Sequence, residues 1–474
     1  MFAPEVQAFS FNKSGNAASL TVGAGGISMS DNRSASSPLD FRTPLDFTAT
    51  HTTLNLGANV VARFRAPLGG VANGGQTVAK VGGGSVYLYT TNSTYDGSVA
   101  VSNGYVYAYG NEPFGPMDAS GNSKVYVEGF NGARVYLMNM SSSKNFQLHN
   151  NATYRTALYS TANTTNILTG NVRCGDVCKV DITTGSVLYF DGGYGTAATR
   201  SSEYVNWSGE GTVVFRREPL YCGSFEAGIK NIRFDCQGNL FNKIFGYNAS
   251  DSYYPRSGTL TFGCDWAVDS TTGGIICFSE SIYLNGTEQR IAALRNTGSV
   301  VSRVGDKPGT LRLAYSGTTA AINNLAASTG DFVGSVNLIV EANRDYTFCI
   351  SNRAVSATGN VEVASGTLKF GGTASWLGAT NVTVSGGTLV VPHSKVFDRS
   401  ADLHLSAGAL QLDEGVNQNV RYLYLEGSEK YMRNGRYGAL GNTSVPAANR
   451  TARITGPGIL NVLGDGNGLT LIIR

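Results

Sequence analysis

Charge is scarce in this chain, at 15% of 474 residues, and proline (12) and histidine (4) are few. A net charge of +3 with no Lys/Arg run and no basic-aromatic stripe gives nucleic acid nothing to hold. Long hydrophobic runs are missing too: each apolar stretch falls far short of the roughly 20 residues that a spanning helix needs. The opening residues, Met1-Phe2-Ala3-Pro4-Glu5, have neither the basic segment nor the apolar core of a signal peptide. The expectation is a mature or excised part of a longer protein. No segment of any length keeps the 3.6-residue period of a helix.

Glycine is abundant, with 60 residues, and Tyr (24) and Phe (21) are plentiful. That mixture suits short strands joined by tight turns, because Gly accepts positive φ at little cost. The seven cysteines are Cys174, Cys178, Cys222, Cys236, Cys264, Cys277 and Cys349. An odd count leaves at least one thiol unpaired within the chain. Cys174 and Cys178 form C-x3-C, but no second pair or His cluster follows at zinc spacing. The cysteines are expected to pack as small apolar groups, with no metal and no cofactor.

A phrase recurs from end to end: Gly, a small residue, then apolar residues flanking a solvent-tolerant one. It appears as Gly84-Ser85-Val86-Tyr87-Leu88, Gly366-Thr367-Leu368-Lys369-Phe370, Gly387-Thr388-Leu389-Val390-Val391 and Gly408-Ala409-Leu410-Gln411-Leu412. The last three glycines are 21 residues apart, and a fixed period of that size means one unit stacked on copies of itself. Val361-Glu362-Val363, Val382-Thr383-Val384 and Leu403-His404-Leu405 precede the phrase with the period-2 pattern of a half-buried strand. Each unit should thus hold two short strands, with Val361, Val382 and Leu403 in one inward column and Leu368, Leu389 and Leu410 in another. The predicted fold is all-β, a right-handed parallel β-helix with irregular loop insertions around 220–256 and a C-terminal cap. The helix is assigned to residues 1–414, and a capping or terminal module to residues 415–474.

Residues 80–109 place Lys80, Gly82, Gly84, Asn92, Tyr95, Gly97 and Gly104 at the positions of a known pattern. They resemble the autotransporter-associated β-strand repeat, Lys-x-Gly-x-Gly-x-Leu-x-Leu, then Asn-x-Tyr-x-Gly, then a closing Gly-x-Leu. A weaker copy runs from Lys307-Pro308-Gly309 to Phe332-Val333-Gly334. Leu412 to Val416, Val420 to Gly427, Gly435 to Gly438 and Gly456 to Val462 are similar in order to the terminal module of large, repeat-rich exported bacterial proteins. The resemblance implies a passenger-type β-helix, extracellular or at the cell surface. No translocator barrel follows Gly464, so self-translocation is not expected.

Glycoside hydrolysis needs two carboxylates at a set separation. Asp176, Asp181 and Asp191, or Asp265 and Asp269 beside Trp266, are the available acids, and none forms a paired motif. His393 and His404 read as surface residues, and Asp465-Gly466-Asn467-Gly468 as a turn rather than a calcium loop. Function is therefore placed in the irregular middle, with Tyr247, Tyr253, Tyr254 and Trp266 as aromatic contacts for glycans. The expected protein is a non-enzymatic structural or adhesive β-helix whose partners are itself and host or matrix glycans. The alternatives are a carbohydrate-active β-helix, either lyase, glycosidase or binder, and a trimeric tailspike-like fibre.

Overall fold

The computed structural model describes residues 9–11, 20–29, 38–70, 75–128, 132–149, 156–175, 178–193, 205–217, 225–237, 259–269, 271, 274–277, 281–296, 300–302, 307–317, 327–328, 332–351 and 354–464. Nearly all regular structure there is β, and the strands stack in parallel as a β-solenoid. A single 3-10 turn, Ala447–Asn449, is the exception among the described residues. No helix in them is long and apolar enough to cross a membrane. The chain divides into two compact units, Met1–Cys236 with Asn242–Gly246 and Gln237–Phe241 with Tyr247–Arg474.

In the second unit the 21-residue step is visible as strand register. Val361 pairs with Val382 and Val382 with Leu403, while Leu368 pairs with Leu389 and Leu389 with Leu410. All six side chains are buried. Each contributes about 1.5–3 kcal/mol by leaving water. A coil has three strands rather than two. Between the phrase strand Thr367–Gly371 and the next strand Asn381–Val384 lies Ser375–Trp376, only two residues long. It pairs with Ala354–Ala357 of the preceding coil, and a two-residue strand is too short to leave a period in sequence.

The first unit is built likewise. Leu45–Phe47, His51–Leu56 and Val61–Phe64 form one coil, and Leu68–Gly69, Thr77–Val81 and Ser85–Leu88 pair with them as the next. Phe190, Phe215 and Phe234 stack inside at centroid spacings of 5.5 Å. Within the stretch read as an insertion, Phe225–Phe234 is a strand paired with Val205–Phe215. Residues 238–256 of that stretch lie outside the described residues.

Several of the matched motif residues of 80–109 are in contact with one another. Lys80 is buried at the coil interior, where its ammonium donates to the carbonyls of Val81 (3.2 Å), Gly82 (2.5 Å) and Asn103 (2.7 Å). Asn103 belongs to the following coil, so one side chain ties two corners. Gly104 has φ +73°, and a Cβ there would collide with the Gly84 carbonyl and the Lys80 ammonium. Tyr95 is fully buried and donates to the Ser98 carbonyl at 3.2 Å. A second interior lysine, Lys144, donates to the carbonyls of Gly97 (2.7 Å) and Pro116 (2.8 Å). Burial lowers both ammonium groups from 10.5 to about 8. The weaker copy departs from this plan: Lys307 is 69% exposed and lies 3.5 Å from Asp265.

Amide side chains do the same work in the second unit. Gln289 accepts from the Val268 amide (2.9 Å) and donates to the Cys264 carbonyl (2.8 Å). Gln418 accepts from the Val396 amide (3.1 Å) and donates to the carbonyls of Phe397 (2.9 Å) and Asn419 (2.7 Å). The stack does not end at residue 414, because Leu423–Leu425 pairs with Asp402–Leu405. The chain then makes an excursion and returns at Ile454–Thr455 to pair with Ala409–Leu412. Gly435–Tyr437 lies antiparallel along Ile459–Val462, the one antiparallel pairing among the described residues.

One cysteine expectation is corrected. Cys174 and Cys178 form a disulfide with Cα atoms 6.3 Å apart, which joins the strands Val172–Gly175 and Cys178–Ile182.

Replacing Gln418 with Leu should leave one buried amide and two carbonyls without partners. At about 1–3 kcal/mol for each unsatisfied group, partly offset by relaxation, the expected loss is roughly 2–4 kcal/mol. Hydrogen exchange at the Val396 amide should accelerate; unchanged protection there would show that the amide is not held by Gln418.

Candidate functional site

Along the phrase strands of the first unit, inward residues alternate with outward ones, and parallel register aligns the outward ones coil upon coil. One such column reads Asp40, Arg63, Tyr87, Tyr107, Tyr136, Tyr159, Asp181, each paired with the next. The rings of Tyr87 and Tyr107 stack at 4.3 Å and 7°, those of Tyr107 and Tyr136 at 4.5 Å and 14°, and Tyr136 and Tyr159 are 5.0 Å apart. A neighbouring pair, Tyr89 and Tyr109, stacks at 4.4 Å. All are half-buried.

Cations border this face. The guanidinium of Arg63 is 5.9 Å from the Tyr87 centroid, Arg65 is 5.2 Å from Tyr89, and Arg134 is 5.9 Å from Tyr105. Arg65 also pairs with Asp40 at 3.2 Å. Stacked phenols cover one another's faces, so along the column they offer edges and hydroxyls to solvent. Phenol hydroxyls both donate and accept hydrogen bonds, whereas a ring face already covered by its neighbour has little area left for stacking. Burial raises Tyr107 and Tyr109 above the ordinary phenol value, and the neighbouring phenols add to the effect.

Tyr247, Tyr253 and Tyr254 lie outside the described residues. Trp266 sits in a turn at φ +58°, half-buried, with its backbone N–H donating to the Glu288 carbonyl at 2.8 Å and the Arg290 guanidinium 5.9 Å from its ring. The acids near it serve structure: Asp269 pairs with Arg290, and Asp265 accepts from the Glu288 amide at 2.9 Å. Asp191 pairs with Arg216 at 3.5 Å, Asp181 ends the tyrosine column, and Asp176 lies outside the described residues. His404 points outward and stacks on Tyr424 at 4.3 Å and 2°. His393 accepts from the Lys395 amide at Nδ1 (3.3 Å), which leaves its Nε2–H to donate to the Ala374 carbonyl (2.8 Å). Among the described residues, no group of three or more His, Cys, Asp or Glu side chains is placed to hold a metal ion.

The aromatic face was thus missed, although it lies in the phrase itself. Tyr at every second position, 87 and 89, then 105, 107 and 109, on successive copies of a strand motif is the signal that reveals it.

The raised phenols carry a pH signature. In the folded state Tyr107 holds its proton above the unfolded value near 10, so its contribution is complete below pH 10 and is lost as pH rises beyond it. Tyr107→Phe should lose less stability than the parent between about pH 9 and about pH 11.5, measured by denaturant midpoints. Equal losses would show that Tyr107 ionises freely.

Compared by sequence and by structure, the chain matches no protein-family model, no curated protein and no solved structure.

Proposed function

We propose that this protein is a non-enzymatic structural and adhesive β-helix, acting outside the cell or at its surface. The observation that carries the reading is the continuous outward column of Arg63, Tyr87, Tyr107, Tyr136 and Tyr159, a ribbon rather than a pocket. A ribbon of repeated groups suits an extended polymer, which it can engage at several points at once. The Cys174–Cys178 disulfide supports the location, since such bonds persist chiefly in oxidising compartments. The resemblance of residues 80–109 to a passenger-type repeat supports it as well, and the Lys80 and Tyr95 contacts give those motif residues a physical purpose.

The C-terminal residues act in this reading as a cap on the stack. An open parallel edge invites another chain to add to it. Leu423–Leu425 covers the edge of Asp402–Leu405, and Ile454–Thr455 covers that of Ala409–Leu412. The antiparallel strand Gly435–Tyr437 then lies along Ile459–Val462, where a further parallel coil would add.

Two measurements test these statements. On a glycan array combined with a product assay, the protein should be retained without turnover; turnover of a retained glycan would overturn the non-enzymatic reading in favour of a carbohydrate-active enzyme. Electron microscopy across a concentration series should show single particles for the full chain and end-to-end or aggregated particles for a chain ending at residue 414. A monodisperse truncated chain would sink the capping role.

A further inference from the structure

Arg63 and Arg134 differ from the paired arginines of this solenoid. Arg65 is held by Asp40, Arg216 by Asp191, Arg290 by Asp269 and Arg421 by both oxygens of Asp402. Arg63 and Arg134 make no ion pair among the described residues. In each, Nε is buried without a hydrogen-bond partner, and a tyrosine ring lies nearby. Asp40, the register partner of Arg63, gives its Oδ2 to Arg65 and Arg42 and keeps a buried Oδ1 without a hydrogen-bond partner, and Asp181 lies at the far end, beyond Tyr159.

Their placement is regular. Arg63 is one rung before Tyr87, and Arg134 lies on the strand that carries Tyr136. Three strand steps separate them, about 14 Å along the stack. Between them stand the hydroxyls of Tyr87, Tyr105 and Tyr107. We propose that this face binds an acidic polysaccharide, with Arg63 and Arg134 each taking a carboxylate of the chain and the tyrosine hydroxyls meeting the sugar hydroxyls between them. The proposal rests on the adhesive reading above and narrows it to uronate-bearing polymers.

The physical case is one of matched groups. A guanidinium binds a carboxylate through two parallel hydrogen bonds, and a nearby aromatic ring limits the side-chain freedom lost on binding. Phenol hydroxyls both donate and accept, as sugar hydroxyls do. An acidic peptide would satisfy the arginines but leave the row of hydroxyls largely without partners.

The test uses β-1,4-linked mannuronate oligomers, neutral β-1,4-mannan oligomers of equal length, and poly-glutamate, titrated into the full chain by calorimetry. Mannuronate should bind at least tenfold more tightly than mannan, with affinity that falls as salt rises. Arg63→Gln with Arg134→Gln should cost at least tenfold and flatten the salt dependence. Arg63→Lys with Arg134→Lys should recover part of the affinity, and Tyr107→Phe should weaken binding several-fold with the circular dichroism spectrum unchanged. Equal binding of mannan and mannuronate, or a glutamine double variant that is folded and binds as the parent does, would overturn the charge-specific proposal while leaving glycan adhesion intact. Poly-glutamate binding as tightly as mannuronate would overturn the polysaccharide assignment. An array that retains no glycan at all would bring down the adhesive reading itself.

Discussion

A chain that coils around an apolar interior must turn a corner several times per coil, and every corner turns some backbone polar groups away from the strand ladder. Left unpaired in that interior they would each cost as much as a lost hydrogen bond. The described coils meet this constraint with long polar side chains sent inward: Lys80 and Lys144 in one unit, Gln289 and Gln418 in the other. Lysine and glutamine have the reach to touch two coils, and shorter residues do so where the strands come close: Asn166 accepts from the Met140 amide (3.0 Å), and Ser93 accepts from the Leu68 amide (3.0 Å) and donates to the Pro113 carbonyl (3.3 Å). The apolar columns give the stack its adhesion, and these bridges fix where each turn of chain sits upon the last.

That division of labour explains what could be read in advance. Columns such as Val361, Val382 and Leu403 obey a period, and a period is legible in one sequence because burial selects the same residue type at each repeat. The strand Ser375–Trp376 obeys none, being too short to alternate. Gln418 looks in sequence like any polar residue beside an asparagine; only the fold shows that it faces inward. Lys80 stood out through its motif, but a buried lysine without a carboxylate partner runs against the usual placement of that residue.

The aromatic face was not legible for a related reason. Irregular segments attract functional expectations because loops on a rigid scaffold often bind ligands. Here an aromatic face lies on the scaffold itself, where register alone brings Tyr87, Tyr107, Tyr136 and Tyr159 into line. Residues separated by 20 or more positions in sequence become neighbours about 4.8 Å apart once the strands pair. Composition records that tyrosine is common. It does not record that the tyrosines are stacked.

The parallel pairing has a mechanical consequence. Within each unit the hydrogen bonds between coils lie along the stacking direction, so a pull in that direction loads few of them at a time. A coil of 21 residues, as between Val361 and Val382, releases roughly 70 Å of slack when it opens, at about 3.3–3.6 Å for each extended residue. A stack opened coil by coil lengthens in steps and dissipates work at every step.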